Sequence, residues 1–500
     1  MKSFPLTQAD FYKLSHKKFM HHKTEFVYAN LTPRSGKYAK WADEDDKKVV
    51  FFGLQYFIKD FLIEEFSKEF FEKPKPEVIS KFKRRCDLAL GKDAISMDHF
   101  EKLHDIGYLP IAIKALKEGS KVNIKVPVLT IYNTHPDFAW LVTYLETVLS
   151  CELWQPITSA TSAYQYKKLC DKFAEMTVGN RNHVMFQCHD FSARGMAGRH
   201  AGAISGAGHL LSFNGTDTVS AIDLLEDYYY ANSEDEFIAA SVPASEHSVT
   251  SLGSSVDGEF ETIKRWITKD YPTGIVSVVS DTYDFWNVLT NYLPLLKCEI
   301  LSRKPNDLGF SKVVVRPDSG DPADIICGTV DEFGKGVSPE QKGSIELLWD
   351  VFGGTINSKG YKELDSHIGL IYGDSITIER AKDIFERLEK KGFASSNVVF
   401  GVGSFTYQMV SRDTLGMAVK ATYAVVDGEG KELFKDPITD NGTKKSARGL
   451  LRVEKDGDNY VLHDKQTEEQ EKEGELKIVF ENGKLLLPLT LQEIRENLKS

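Results

Sequence analysis

The chain has 500 residues, 41% hydrophobic, 11% aromatic and 27% charged, a composition that excludes a fibrous, low-complexity or wholly disordered protein. Lysine and arginine number 62 against 73 aspartates and glutamates, a formal net charge of −11. That balance argues against a general affinity for nucleic acid or anionic membrane and leaves any small anionic substrate to local arginines. The six cysteines (Cys86, Cys151, Cys170, Cys188, Cys298 and Cys327) include no C-x-x-C pair, so a disulfide framework or zinc ribbon is not indicated and a reducing cytoplasm is expected.

The opening MKSFPLTQADFYKLSHKKFM has no apolar leader, and no apolar run approaches the ~18 residues of a membrane helix, so a soluble, unexported protein is expected. Residues 1–155 mix helices with short strands and read as the first part of a smaller α+β domain. Within residues 156–412 the pattern turns to short β-branched runs, each followed by polar or glycine turns and helix-like segments. Seven such runs end at Asp190, Asp217, His247, Asp281, Asp318, Asp374 and Ser404, and polar groups at strand ends are what the carboxyl rim of a parallel α/β barrel displays. After the sixth, residues 376–391 place Ile378, Ala381, Ile384, Phe385 and Leu388 at helical spacing, with Gly392 as a stop. Residues 413–500 return to the smaller domain, with Asp427-Gly428 and Asn482-Gly483 as hairpin signals. Charge-rich stretches at 41–48, 64–85, 331–342 and 464–475 read as solvated loops and helix faces.

Several strand ends carry residue types suited to phosphate and ribose chemistry. VVVRPDSGD delivers Arg316, Asp318, Ser319 and Asp321 into one turn, where an arginine fork suits phosphate and a carboxylate suits Mg²⁺ or a ribose hydroxyl; a surface ion pair is the alternative. VVFGVGSFTYQMVSR reads as strand, Gly-x-Gly turn and helix, a phosphate cradle or simply a tight barrel turn, with Thr406 where a dinucleotide fingerprint needs its third glycine. His247 is an acid, base or phosphate acceptor, or a hydrogen-bonded structural histidine. His189 and Asp190 precede Phe191 and Arg194, a group suited to stacking a flat ring and holding an anion. Asp217, Asp281 and Asp374 are carboxylate acceptors or turn and cap residues. P-loop, zincin and serine-hydrolase motifs are absent, which leaves a barrel enzyme that handles a phosphorylated sugar or nucleotide.

The motifs DFYKLSH, FFGLQY, LPIAIKALKEG, HDFSARG, FNGTDTV, SVPASEHS, SVVSDTYD, VVVRPDSGDP, NSKGYKEL, YGDSI and FKDP occur in one order, and through them nearly the whole chain resembles the nicotinamide phosphoribosyltransferases, of the type II phosphoribosyltransferase family. The resemblance implies an irregular (β/α) barrel beside a smaller β-rich α+β domain, in a cytoplasmic homodimer with shared active sites. It implies transfer of phosphoribose from 5-phosphoribosyl 1-pyrophosphate to nicotinamide, with Mg²⁺ as cofactor and ATP as a coupled co-substrate. By the same resemblance Phe191, and Tyr12 of the partner subunit, sandwich nicotinamide, Asp217 accepts its carboxamide N–H, and Ser241 and Ser277 support them. Arg194, His247, Arg316 and Asp318 hold pyrophosphate and ribose, and Gly373, Asp374, Gly403, Ser404 and Arg412 take the 5′-phosphate. Arg34, Lys420 and Lys435 hold the ATP phosphates, His247 is the residue phosphorylated, and Asp318 with Asp281 is the metal pair.

Three positions depart from the family pattern: Gly401-Val402-Gly403-Ser404-Phe405 replaces a run of glycines, Ala193 an aromatic, and Ala418 a hydroxyl near Lys420, the last of which weakens the case for ATP coupling. The competing readings are a nicotinate phosphoribosyltransferase on the same fold and a non-catalytic nucleotide-binding homologue. A carboxylate at Asp217 welcomes an amide donor and repels nicotinate, which favours the amide substrate.

Overall fold

The computed structural model describes residues 4–329, 338–439 and 445–500; residues 331–337 of the charge-rich stretch 331–342 lie outside these. The described chain forms two compact units, one of Met1–Thr161, Ala221–Glu236 and Val410–Ser500, the other of Ser162–Ser220 and Phe237–Met409. None of the described helices is long and apolar enough to cross a membrane.

In the second unit, β-branched runs form a six-stranded all-parallel sheet in the spatial order Gly215–Thr216, Cys188–Asp190, Val398–Val402, Ile368–Tyr372, Val313–Arg316, Val276–Val279. The two outer strands do not remain edges. Residues 240–245 bridge them, pairing in parallel as Gly215↔Ala240 on one side and Ala244↔Ser277 on the other. Thr216 N–H donates to Ala240 O at 3.0 Å and Ala240 N–H to Asn214 O at 2.6 Å, while Ser277 N–H donates to Pro243 O at 2.9 Å and Ser245 N–H to Ser277 O at 3.0 Å. Seven staves thus close an irregular α/β barrel in chain order. Pro243 has no N–H to give, which is one reason this stave is joined by isolated bridges instead of forming a regular strand. His247 consequently opens the helix His247–Asp257 instead of ending a strand.

The helix expected over residues 376–391 runs Ile378–Lys390, its N-terminus capped by the Thr377 side chain, which accepts from Arg380 N–H. Its buried face is Ile378, Ala381, Ile384, Phe385 and Leu388, with the Phe385 ring 5.0 Å from both Phe173 and Phe400. Asp321 caps the helix Pro322–Cys327 by accepting from Ala323 and Asp324 N–H, so of the carboxylates in VVVRPDSGD this one has a structural task.

In the first unit a seven-stranded antiparallel sheet interleaves the two ends of the chain, in the order Glu429–Glu432, Met417–Val426, Thr24–Pro33, Leu129–Asn133, Ile111–Ala115, Lys477–Glu481, Lys484–Leu485. Asp427-Gly428 (φ 55° and 73°) and Asn482-Gly483 (φ 49° and 81°) turn its two hairpins with positive φ at both positions. The helix Ser220–Tyr229, which the sequence places in the 156–412 barrel region, clusters here instead. Its C-terminal end explains why: Tyr228 O accepts from Gln55 Nε2 at 2.6 Å, and Tyr229 stacks on Phe52 with ring centroids 5.1 Å apart.

Tyr229 also donates to Glu118, a buried carboxylate that accepts from Gly53 N–H at 2.7 Å, Gln55 N–H at 2.6 Å and Tyr229 OH at 3.0 Å. Burial pushes this carboxyl up to about 7 against the pull of those donors. Because the folded value exceeds the unfolded one, the group favours the fold below the ordinary glutamate range, and that contribution is lost as pH rises through about 7. The urea midpoint of the wild type should therefore fall more between pH 5 and pH 8 than that of Glu118→Gln. Parallel pH dependences in the two proteins would show that Glu118 does not titrate in this window.

Candidate active site

The first and second staves end side by side. Asp190 is fully buried and its carboxylate accepts from Ser192 N–H at 2.9 Å and from the Thr218 hydroxyl at 2.7 Å. Its backbone carbonyl accepts from Asp217 N–H at 2.9 Å. One residue therefore ties the Phe191 turn to the Asp217 turn. Phe191 N–H in turn donates to Val402 O at 2.9 Å, and its ring fills the space beside Gly401, where an added Cβ would come within 2.4 Å of Phe191 Cδ2. His189 sits over Gly215 in the same way, since a Cβ there would lie 2.7 Å from His189 Nδ1.

Asp217 receives both of its side-chain hydrogen bonds on one oxygen: His189 Nε2 lies 2.9 Å from Oδ1, and the Ser241 hydroxyl donates to the same atom at 2.6 Å. Burial alone would raise this carboxyl, but these two bonds, with the charges of His189 and Arg316, outweigh it and hold Asp217 below its ordinary value. Asp217 is thus held as an ionised carboxylate with both of these donors on Oδ1. Ser277 is buried nearby in the third-stave bridge, its hydroxyl without a protein partner.

The fourth and fifth barrel strand ends supply the charge. His247 Nε2 lies 3.0 Å from Asp318 Oδ1 and 3.7 Å from Asp281 Oδ1, and its Nδ1 is 3.0 Å from the Thr282 hydroxyl. A carboxylate only accepts, so Nε2 carries the proton and the Nδ1 lone pair faces the Thr282 side. Asp281 Oδ2 accepts from Asp318 N–H at 2.9 Å, Ser319 N–H at 2.9 Å and the Ser319 hydroxyl at 2.6 Å, whereas its Oδ1 is buried with no partner. Ligand atoms of His247, Asp281 and Asp318 fall within 4.8 Å of one another, so oxygen donors and an orphaned carboxylate oxygen fit a divalent cation. Arg316 is anchored through Nη2 to Ser245 O, its Nε is buried without a partner, and burial lowers its pKa against the opposing pull of Asp318 and Asp217. Arg194 is exposed on the turn Ala193–Gly195 and near enough to add to that lowering.

At the last two strand ends, Gly373 N–H donates to Pro317 O at 3.2 Å, and Asp374 stands close enough to Tyr372 to help burial raise that hydroxyl. Gly403 is extended and caps the short helix Ser404–Tyr407, and an added Cβ at Gly195 would lie 2.5 Å from Ser404 Oγ. Phe191, Arg194, Asp217, Ser241, His247, Ser277, Asp281, Arg316, Asp318, Gly373, Asp374, Gly403 and Ser404 all belong to the barrel unit.

Tyr12, Arg34, Arg412, Lys420 and Lys435 belong to the other unit, Arg412 included although the sequence assigns it to the end of the barrel region. Arg412 opens the turn Arg412–Thr414 and lies near Tyr12, whose hydroxyl burial and Asp10 raise. Lys420 pairs across the sheet with Asn30, and Ala418 with Thr32; burial lowers Lys420, with Arg34 and Lys435 close enough to lower it further. Those three cations therefore share one neighbourhood.

Sequence reasoning placed Asp190 in the cluster suited to a flat ring and an anion, whereas the structure spends its carboxylate on Ser192 and Thr218, and it gave Thr282 no task. Asp190 is fully buried, which a carboxylate at a strand end does not announce, and Thr282 is legible only once Asp281 and His247 are placed.

A closed parallel barrel with arginine, histidine and paired carboxylates on its carboxyl rim defines the type II phosphoribosyltransferase class of fold. Solved structures agree on the fold: human nicotinic acid phosphoribosyltransferase matches with a TM-score of 0.59 at 16% identity, covering 98% of this chain and 92% of that one. The nicotinate-nucleotide pyrophosphorylase of Pyrococcus furiosus matches with a TM-score of 0.57 at 18% identity, covering 99% and 95%. The model of the nicotinate phosphoribosyltransferase (NAPRTase) family matches residues 186–484. A protein named nicotinamide phosphoribosyltransferase from Acinetobacter baylyi is 54% identical over 494 residues, 99% of this chain and 97% of its own. Proteins of the same name from Mycoplasma pneumoniae and Xanthomonas campestris pv. campestris are 35% and 33% identical, covering 89% and 98% of this chain and 94% and 97% of theirs. The chain belongs to the nicotinate phosphoribosyltransferase family.

Asp190→Asn turns one of the two acceptor oxygens into a donor facing hydrogens that have no other partner. It should lower stability by about 1–3 kcal/mol in a denaturant titration. A loss below a few tenths of a kcal/mol would show that the two turns hold without it.

Proposed function

We propose that the protein transfers the 5-phosphoribosyl group from 5-phosphoribosyl 1-pyrophosphate to nicotinamide, giving nicotinamide mononucleotide and pyrophosphate for NAD salvage. The observation that carries this reading is Asp217, ionised, with both protein donors on Oδ1 and Oδ2 left for a ligand. A carboxamide N–H satisfies that oxygen; nicotinate's carboxylate is repelled by it. Phe191 stacks one face of the pyridine, Tyr12 of the partner subunit in a homodimer stacks the other, and Ser241 and Ser277 line the edge.

With the ring so held, the pyridine nitrogen attacks C1 of the ribose as the C1–O bond to pyrophosphate breaks, the departing oxygen taking the bonding electrons. Positive charge grows on the ribose and negative charge on the leaving group, so Arg316 and Arg194 stabilise what develops in the transition state. Asp318 holds the ribose, while Gly373, Asp374, Gly403, Ser404 and Arg412 take the 5′-phosphate. Mg²⁺, held by Asp281 Oδ1 and Asp318, would neutralise charge on the diphosphate.

ATP coupling is part of the same reading. The Nε2–H of His247 held by Asp318 leaves Nδ1, 3.0 Å from the Thr282 hydroxyl, as the basic nitrogen, which becomes the nucleophile when that hydroxyl turns away. Nδ1 bonds to the γ-phosphorus of ATP, the P–O bond to ADP breaks, and water later returns His247 and free phosphate. Arg34, Lys420 and Lys435 hold the ATP phosphates in the cytoplasmic dimer.

Two measurements test these assignments. Asp217→Asn should raise the ratio of nicotinate to nicotinamide kcat/KM by about tenfold or more, the equivalent of ~1.4 kcal/mol; wild-type preference for nicotinate would transfer the protein to the rival substrate. With γ-labelled ATP the wild type should acquire acid-labile, base-stable phosphate and His247→Ala should not. Equal labelling of the two would remove His247 from that step.

A further inference from the structure

His209 is wholly buried at the C-terminal end of the helix Arg199–His209, away from any position assigned above to substrate. Its Nδ1 lies 2.6 Å from the Tyr407 hydroxyl and its Nε2 3.0 Å from Gly215 O. Gly215 O only accepts, so Nε2 carries the proton, Nδ1 accepts, and Tyr407 must donate. The ring is clamped between Phe213, stacked at 5.1 Å and 24°, and Tyr407, edge-on at 5.8 Å and 85°. Burial holds His209 down to about 4 and lifts Tyr407 well above its usual value, so neither partner changes charge near neutral pH.

The two ends of this bridge lie in different parts of the site. Tyr407 closes the turn that begins at Gly403 and Ser404, its N–H donating back to Gly403 O at 3.2 Å. Gly215 lies two residues before Asp217 and directly under His189, the ring that bonds Asp217 Oδ1. We infer that His209 is a positioning residue that couples the phosphate turn at Gly403–Ser404 to the pyridine-binding carboxylate Asp217 through Tyr407 on one side and Gly215 on the other. It touches neither substrate, yet displacement of either turn is transmitted to the other through a rigid imidazole of fixed tautomer.

The inference rests on the phosphoribosyl-transfer reading. Tyr407→Phe removes one hydroxyl and leaves the aromatic packing, while His209→Gln keeps an acceptor and a donor at altered spacing. In Tyr407→Phe, KM for phosphoribosyl pyrophosphate and KM for nicotinamide should rise together, each roughly 2- to 30-fold, in a variant that still unfolds in one cooperative transition although His209 Nδ1 has lost its donor. His209→Gln should show the same paired change, and larger. A rise in only one KM, or none in a variant that folds, would overturn the coupling. Side-chain ¹⁵N spectra provide an arm that does not depend on activity: His209 should hold the neutral Nε2–H form from pH 5.5 to 8, and the Nδ1–H tautomer would overturn the bridge. A wild type that forms no mononucleotide, with the tautomer as stated, would instead count against the transfer reading alone.

Discussion

The whole carboxyl rim hangs on four main-chain hydrogen bonds by which residues 240–245 join two strands that would otherwise be edges. Without that stave the sheet is open, and Asp217, which follows one outer strand, and Ser277, which lies within the other, have nothing to bring them together. With it, Ser241 is delivered to Asp217, Ser245 O to Arg316, and His247 to Asp318, all within seven residues of chain. The stave is short of regular pairing because Pro243 sits within it, and that irregularity lets consecutive residues serve different neighbours instead of alternating strictly in and out.

The electrostatics follow from the same closure. Asp281 spends one oxygen on the three donors of the Asp318–Ser319 turn, which fixes Asp318 where His247 meets it, and keeps its other oxygen buried without a hydrogen bond, His247 Nε2 standing off at 3.7 Å. A buried carboxylate oxygen without a donor is costly unless a cation arrives, and Arg316 with an unpartnered Nε is costly unless an anion does. The two deficits have opposite sign and lie at adjoining strand ends. In the proposed reaction an anionic diphosphate accompanied by a divalent cation would answer both together, which neither ion alone would do.

The β-branched runs, the amphipathic helix ending before Gly392 and the two Asx-Gly hairpins were legible because period and turn chemistry are local properties. The irregular pairing of the third stave and the place of His247 were not, because AASVPASEH has strand-like composition while its backbone follows what its neighbours need. The helix Ser220–Tyr229 was misplaced for a similar reason: its destination is set by Glu118, a hundred residues away, and by Gln55, neither of which leaves a mark beside it in the sequence. Most of the polar residues that the structure gathers at the carboxyl rim were legible as strand-end groups and as members of ordered motifs. What they bond to was not, since a carboxylate such as Asp190 reads the same whether it binds a ligand or two backbone turns.

The glycines of the seventh stave, Val398–Val402, and of the turn after it show how packing sorts a motif that sequence alone treats as one unit. Gly401 has no room for a side chain because the Phe191 ring and Gly373 Cα occupy that space, at 2.4 and 3.0 Å from where a Cβ would stand. Gly403 has its nearest neighbour, Phe191 O, at 3.8 Å and an extended φ, so a side chain is tolerated there on steric grounds. Ser404 already carries one, and the space it needs comes from Gly195 across the gap. The departure from a run of glycines is therefore matched from the opposite turn: the position that holds the aromatic ring keeps its glycine, and the next turn exchanges backbone freedom for a hydroxyl packed against the Arg194 loop.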